Sequence, residues 1–96
     1  MELSIMFKGS LEKCSRFEVE RAIENWLGDR GEVIGGGAAT DGSWGHIDVQ
    51  IDGLSRHNMK DVIADVGSML RGLQVPSNTT IVIVDDEDKK VGEFSL

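Results

Sequence analysis

The sequence predicts a two-layer α+β sandwich, with two amphipathic helices packed on one antiparallel sheet. Three observations lead there: two segments whose apolar residues keep a helical period, several short segments that alternate with a period of two, and the order in which these occur. A chain of 96 residues fits one domain, residues 1–96, with no room for a second core. A hydrophobic fraction of 40% and a charged fraction of 28% are those of a globular chain that folds without disulfides or metals.

Leu3, Ile5 and Phe7 alternate with Ser4, Met6 and Lys8, the period of a strand with one buried face. Gly9 and Ser10 break it. Ser15 followed by Glu18 makes a capping box that satisfies backbone donors at a helix start. Val19, Ala22, Ile23, Trp26 and Leu27 then form one apolar stripe, and Gly28 and Gly31 are expected to stop the helix. Residues Glu32 to roughly Ala39 read as a strand, followed by a turn around Asp41-Gly42-Ser43. In the next strand Ile47, Val49 and Ile51 point one way while His46, Asp48, Gln50 and Asp52 point the other, giving a hairpin with one dry and one wet face.

A second helix begins near Ser55 or Asn58. Met59, Val62, Ile63, Val66, Met69, Leu70 and Leu73 carry its period, and Gly72 with Pro76 ends it. Thr79 to Val84 is β-branched and apolar on both sides, so it should have neighbours on both edges or faces. Asp85 to Lys90 is a charged turn, and Val91 to Leu96 can return as a fifth strand. The order βαββαβ with an extra C-terminal strand is that of the split βαβ, or ferredoxin-like, sandwich.

Seventeen acids against ten bases give a formal charge of −7. Such a surface repels phosphate backbones, and no basic stripe with interleaved aromatics is present, so nucleic acid is not an expected partner. A basic protein is attracted by it, although net acidity also serves solubility alone. The single cysteine, Cys14, permits no intrachain disulfide and points to a reducing, cytoplasmic compartment. The start of the chain has no basic n-region or cleavage signal. The longest purely apolar run, Ile81 to Val84, falls far short of the roughly 20 residues that span a bilayer, so no membrane association is expected.

Several residue groups invite a chemical reading. Gly35-Gly36-Gly37 resembles a phosphate loop only in composition: a strand follows where a helix N-terminus is needed, so a bulge or twisted edge strand is expected. His46 and Asp48 project from one strand face, but a metal site needs a third ligand from Asp41, Asp52 or His57, and a solvated face explains the same pattern. Asp85-Asp86-Glu87-Asp88 lacks the alternating ligands, glycine and terminal glutamate of a calcium loop. Cys14 sits before a helix start, where a thiol can be activated, with Lys13 and Arg16 as its only adjacent cations; an incidental thiol is the expectation. Trp44, in the Ser43-Trp44-Gly45 turn, is read first as a packing lid over the sheet end and second as an exposed binding anchor. No Ser-His-Asp or Cys-His set assembles, and neither a cofactor nor a metal is expected.

The run from Gly31-Glu32-Val33-Ile34-Gly35-Gly36-Gly37 through Asp41-Gly42-Ser43 to His46-Ile47-Asp48-Val49 resembles a hairpin of small bacterial ferredoxin-like proteins. Some of these resemble immunity proteins, which neutralise a partner toxin. The similarity covers roughly residues 3 to 84. It specifies shape more than activity, and immunity proteins vary too widely in sequence for any functional residue to carry over.

These readings lead to a non-enzymatic protein-binding module, an immunity-type inhibitor of a basic toxin. Its contact surface would be Asp41, Asp48, Asp52, Asp85, Asp86 and Asp88 with Trp44 as anchor. The alternatives are a small-molecule regulatory domain resembling the amino-acid-binding ACT type, with Gly9 allowing backbone approach to an effector, and a small dimeric enzyme using His46 with Asp48. A homodimer could form through the glycine-rich edge strand, since the wet face opposes a wholly apolar sheet-to-sheet contact.

Overall fold

The computed structural model describes residues 1–9, 11, 15–41 and 43–96. Eight elements follow in order: β1 (Glu2–Phe7), α1 (Arg16–Leu27), a 3-10 turn (Gly28–Arg30), β2 (Gly31–Ala38), β3 (Gly45–Ile51), α2 (Met59–Gly72), β4 (Thr80–Val84) and β5 (Lys90–Ser95). The five strands form one sheet in the order β2-β3-β1-β4-β5, and every neighbouring pair is antiparallel. β4 therefore lies between two strands and is hydrogen-bonded along both edges, as its β-branched run predicts.

Alternation decides which face the helices cover. Leu3, Ile5 and Phe7 of β1 are buried, as are Ile47, Val49 and Ile51 of β3 and Ile81 and Ile83 of β4. They form one cluster with Val19, Ile23 and Leu27 of α1 and with Val66 and Leu70 of α2. Both helices thus pack on the same side of the sheet, an α+β arrangement in two layers. Trp26 lies at the margin of this core, partly buried, with the Arg30 guanidinium 4.6 Å from its ring centre.

The helix ends follow local chemistry. Ser15 is extended and its hydroxyl accepts the Glu18 N–H at 3.1 Å, as the capping box requires. Gly28 closes α1 with φ of +56°, its N–H bonded to the Glu24 carbonyl; Gly31 instead opens β2. At the start of α2, Ser55 and Asn58 act together. The Asn58 side chain accepts from Ser55 N and donates to Gly53 O, while Ser55 O accepts from Met59 N. Gly72 remains within the helix, and the residue that turns the chain is Gln74, at φ of +61°.

One buried polar atom is left over. Thr79 is fully buried on the helix side and, among the described residues, its hydroxyl finds no hydrogen-bond partner. A buried hydroxyl without a partner forfeits its hydration for nothing, so Thr79→Val should stabilise the fold by about 1 kcal/mol. A raised urea midpoint at unchanged slope would register this, and a lowered one would mean that the hydroxyl is bonded. Ser15→Ala should cost about 1 kcal/mol in the same titration, because the Glu18 N–H loses its acceptor.

Candidate functional site

Residues directly opposed in an antiparallel ladder share a face, so the registers lay out the uncovered side of the sheet. One row runs Glu32, Gln50, Glu2, Val84, Lys90; the next Gly35, Asp48, Ser4, Val82, Glu93; the third Gly37, His46, Met6, Thr80, Ser95. The middle of this face holds a connected set of side chains. Ser4 Oγ donates to Asp48 Oδ1 at 2.7 Å, and His46 Nδ1 lies 3.2 Å from the same oxygen. A carboxylate can only accept, so an imidazole in its neutral form would donate from Nδ1 here and keep its lone pair on Nε2. The Trp44 ring stacks on His46 with centroids 5.9 Å apart and planes 10° from parallel.

Trp44 lies with the uncovered face at the Phe7 end of the sheet, packed on His46 and still 48% exposed. The adjoining strand explains the arrangement. Gly35 and Gly37 face Asp48 and His46 across the ladder; a Cβ on Gly35 would stand 3.7 Å from Asp48 Oδ2, and one on Gly37 would stand 3.3 Å from His46 Nε2. The floor beside both side chains is therefore bare backbone.

The glycine between them answers to the other layer. Arg16, in the first turn of α1, donates from Nη1 to Gly37 O at 3.1 Å and from Nη2 to His46 O at 2.8 Å, while its Nε pairs with Glu20 at 3.0 Å. Any side chain on Gly36 would collide with that guanidinium, and its φ of +155° further disfavours one. The ladder also shifts register between Val33 and Gly35, so the triplet belongs to a bulged edge strand rather than to a phosphate cradle. Nothing in the spacing alone announced Arg16; its signal was a cation in the first turn of a helix, where an acid would be electrostatically favoured.

The acids singled out in the sequence are not gathered at one point. Asp41 lies in the β2–β3 loop beside Trp44, at the Phe7 end of the sheet. Asp52, Asp85, Asp86 and Asp88 lie beyond the opposite end, where Glu2 meets Gln50 and Val84, and Asp48 sits between. Some of these acids have local duties. Asp85 accepts from Glu87 N and Lys89 N inside its own turn, Asp86 lies 3.1 Å from the Met1 amino group, and Asp48 is engaged by Ser4 and His46. Asp88 holds a φ of +60° in the turn.

At the Glu2 end a concavity of about 220 Å³ is lined by Asp29, Gly31, Glu32, Gln50 and Asp52. His46 and Asp48 converge, but among the described residues no three His, Cys, Asp or Glu side chains come together as metal ligands. Gly9 has φ of +126° and open space around it, while Cys14 lies outside the described residues. No described helix is long and apolar enough to cross a membrane. No protein-family model, no curated protein and no solved structure matches the chain.

Two local predictions follow from this geometry. Nitrogen NMR should find neutral His46 protonated on Nδ1, and Asp48→Ala should shift the population toward the Nε2–H form; an unchanged ratio would mean that the carboxylate does not orient the ring. The hydroxyl and backbone N–H of Ser43 hold the Asp41 carboxyl below its ordinary value. Since the folded value is the depressed one, the loop gains from this contact above the unfolded value and loses the gain as pH falls through the lowered folded value. Ser43→Ala should raise the Asp41 midpoint in a carbon-detected titration.

Proposed function

We propose that this chain is a non-enzymatic protein-binding module that receives a basic protein on the uncovered sheet face and its acidic end. The observation that carries this reading is the location of the charge. Residues 15–30 and 55–73, the helices with their flanks, hold six basic and six acidic side chains, so the whole net charge of −7 falls on the remaining residues. Much of it is gathered at the Glu2 end, where Glu2, Glu32, Asp52 and the β4–β5 turn meet. Such a field steers a basic partner toward one end of the molecule.

The fold reading that accompanies it is ferredoxin-like with an added fifth strand. Its support is that β1 and β2 run parallel with β3 between them, while β3 and β4 run parallel with β1 between them, two interlocked split βαβ units. The specific form of the function is an immunity-type inhibitor of a basic toxin, working in a reducing cytoplasm. The hairpin resemblance and the single cysteine support it.

A second reading, a small enzyme, has one observation in its favour: an Asp-oriented imidazole with a free Nε2. Against it, Ser4 bonds to the carboxylate rather than to the imidazole, so among the described residues no nucleophile is paired with the base.

Capture from the source cells tests the first reading. Wild type is compared with a triple variant, Glu2→Lys, Glu32→Lys and Asp52→Lys. The wild type should retain a basic protein that salt elutes and that the variant releases, and a toxin gene beside this one would identify it. Retention of the same proteins by both forms would sink the proposal.

A further inference from the structure

We infer that the bare floor beside Asp48 and His46, bordered by Trp44 at the Phe7 end, is a subsite for one arginine side chain of the partner protein, an inference that rests on the binding-module reading and makes it specific. Asp48 Oδ1 is occupied by Ser4 Oγ and His46 Nδ1, and among the described residues no donor reaches Oδ2. That second oxygen points toward Gly35, where the missing side chain leaves the space beside it open. Gly37 extends the same floor beneath the edge of His46. The half-exposed indole of Trp44, stacked parallel to the imidazole, supplies an aromatic face at the Phe7 end.

An aromatic face, a carboxylate oxygen and a flat floor without side chains favour a planar cation. Guanidinium is planar, weakly hydrated and stacks on indole while donating in its own plane. An ammonium is compact and holds its water more tightly, so it gains less here. A nucleobase could stack equally well, but the acidic surface repels the phosphates that would carry it. The occupant is therefore an arginine displayed by a basic protein. Tryptophan and arginine are among the residue types that dominate interface binding energy, and the pair here would supply one of each.

The probes are N-acetyl-arginine amide, its lysine counterpart and the neutral citrulline counterpart, titrated at low ionic strength. The shifts of the Trp44 indole N–H and the His46 ring are followed by NMR. The arginine probe should saturate both signals at a concentration at least about fivefold below that of the lysine probe, and the citrulline probe should leave them unmoved. Asp48→Asn keeps the shape and an oxygen for Ser4 while removing the charge, and should abolish the preference. Gly35→Val should also abolish it, since an added Cβ meets Asp48 Oδ2 only at ordinary contact distance and the strand should keep its fold. Circular dichroism checks both variants for folding. Equal shifts from arginine and citrulline, or a wild-type response in Asp48→Asn, would overturn the subsite. In cell capture, a basic protein that survives Asp48→Asn and Gly35→Val but not the triple charge reversal overturns the subsite alone. One that survives every variant overturns the module reading as well.

Discussion

The register of β1 is the constraint on which the rest of the molecule depends. This strand is central, paired with β3 on one edge and β4 on the other, and Leu3, Ile5 and Phe7 are each at most 3% exposed. A slip of one residue would turn Glu2, Ser4 and Met6 toward the helices and lift all three apolar side chains into solvent. Because burying an aliphatic side chain gains about 1.5–3 kcal/mol, the penalty for three would consume much of a small domain's stability. The same register aligns Ser4 with Asp48 and Met6 with His46. Core and site are thus two readings of a single alternation, one on each face.

The edge strand shows how the two layers are joined. β2 has little side-chain substance over residues 35–37, and such a strand would be poorly fixed by the ladder alone. Arg16 supplies what is missing, because its guanidinium bonds the carbonyls of Gly37 and His46 from the helix side. Two hydrogen bonds from a charged donor to backbone oxygens are individually strong for a partly buried site. The bare glycines therefore serve both faces at once. Gly36 makes room for the clamp below, and Gly35 and Gly37 leave the floor open above.

What the sequence revealed, and what it concealed, follows from the range of the interactions. The Ser15–Glu18 cap, both helical stripes and the alternation of β1 and β3 are local, and they read directly. So did the need of Thr79 to Val84 for neighbours, which β1 and β5 meet along its two edges. The end of α2 read at Gly72, its last helical residue, but the left-handed position falls two residues on at Gln74, where side-chain chemistry gives no hint. At the site, His46 and Asp48 could be placed on one face from their spacing of two. Ser4 joins them from a strand 44 residues away, and Arg16 reaches Gly37 across 21. Trp44 reads as a lid over the sheet end or an exposed anchor, and its stacking partner, His46, emerges only from the folded arrangement.

The distribution of charge is the remaining fact that composition could not convey. Solubility asks only that net charge differ from zero, and any placement of the surplus acids would satisfy it. Here the helices are balanced to neutrality and the surplus falls on the remaining residues, concentrated where Glu2, Glu32, Asp52 and the β4–β5 turn come together. Crowding like charges at one end costs free energy through self-repulsion, which a scattered arrangement would avoid. Local bonds account for Asp85 and Asp86, and solubility does not ask the remaining acids to stand together. A basic partner would neutralise the repulsion and recover that free energy on contact, so the location of the charge, rather than its amount, is what argues for a docking surface.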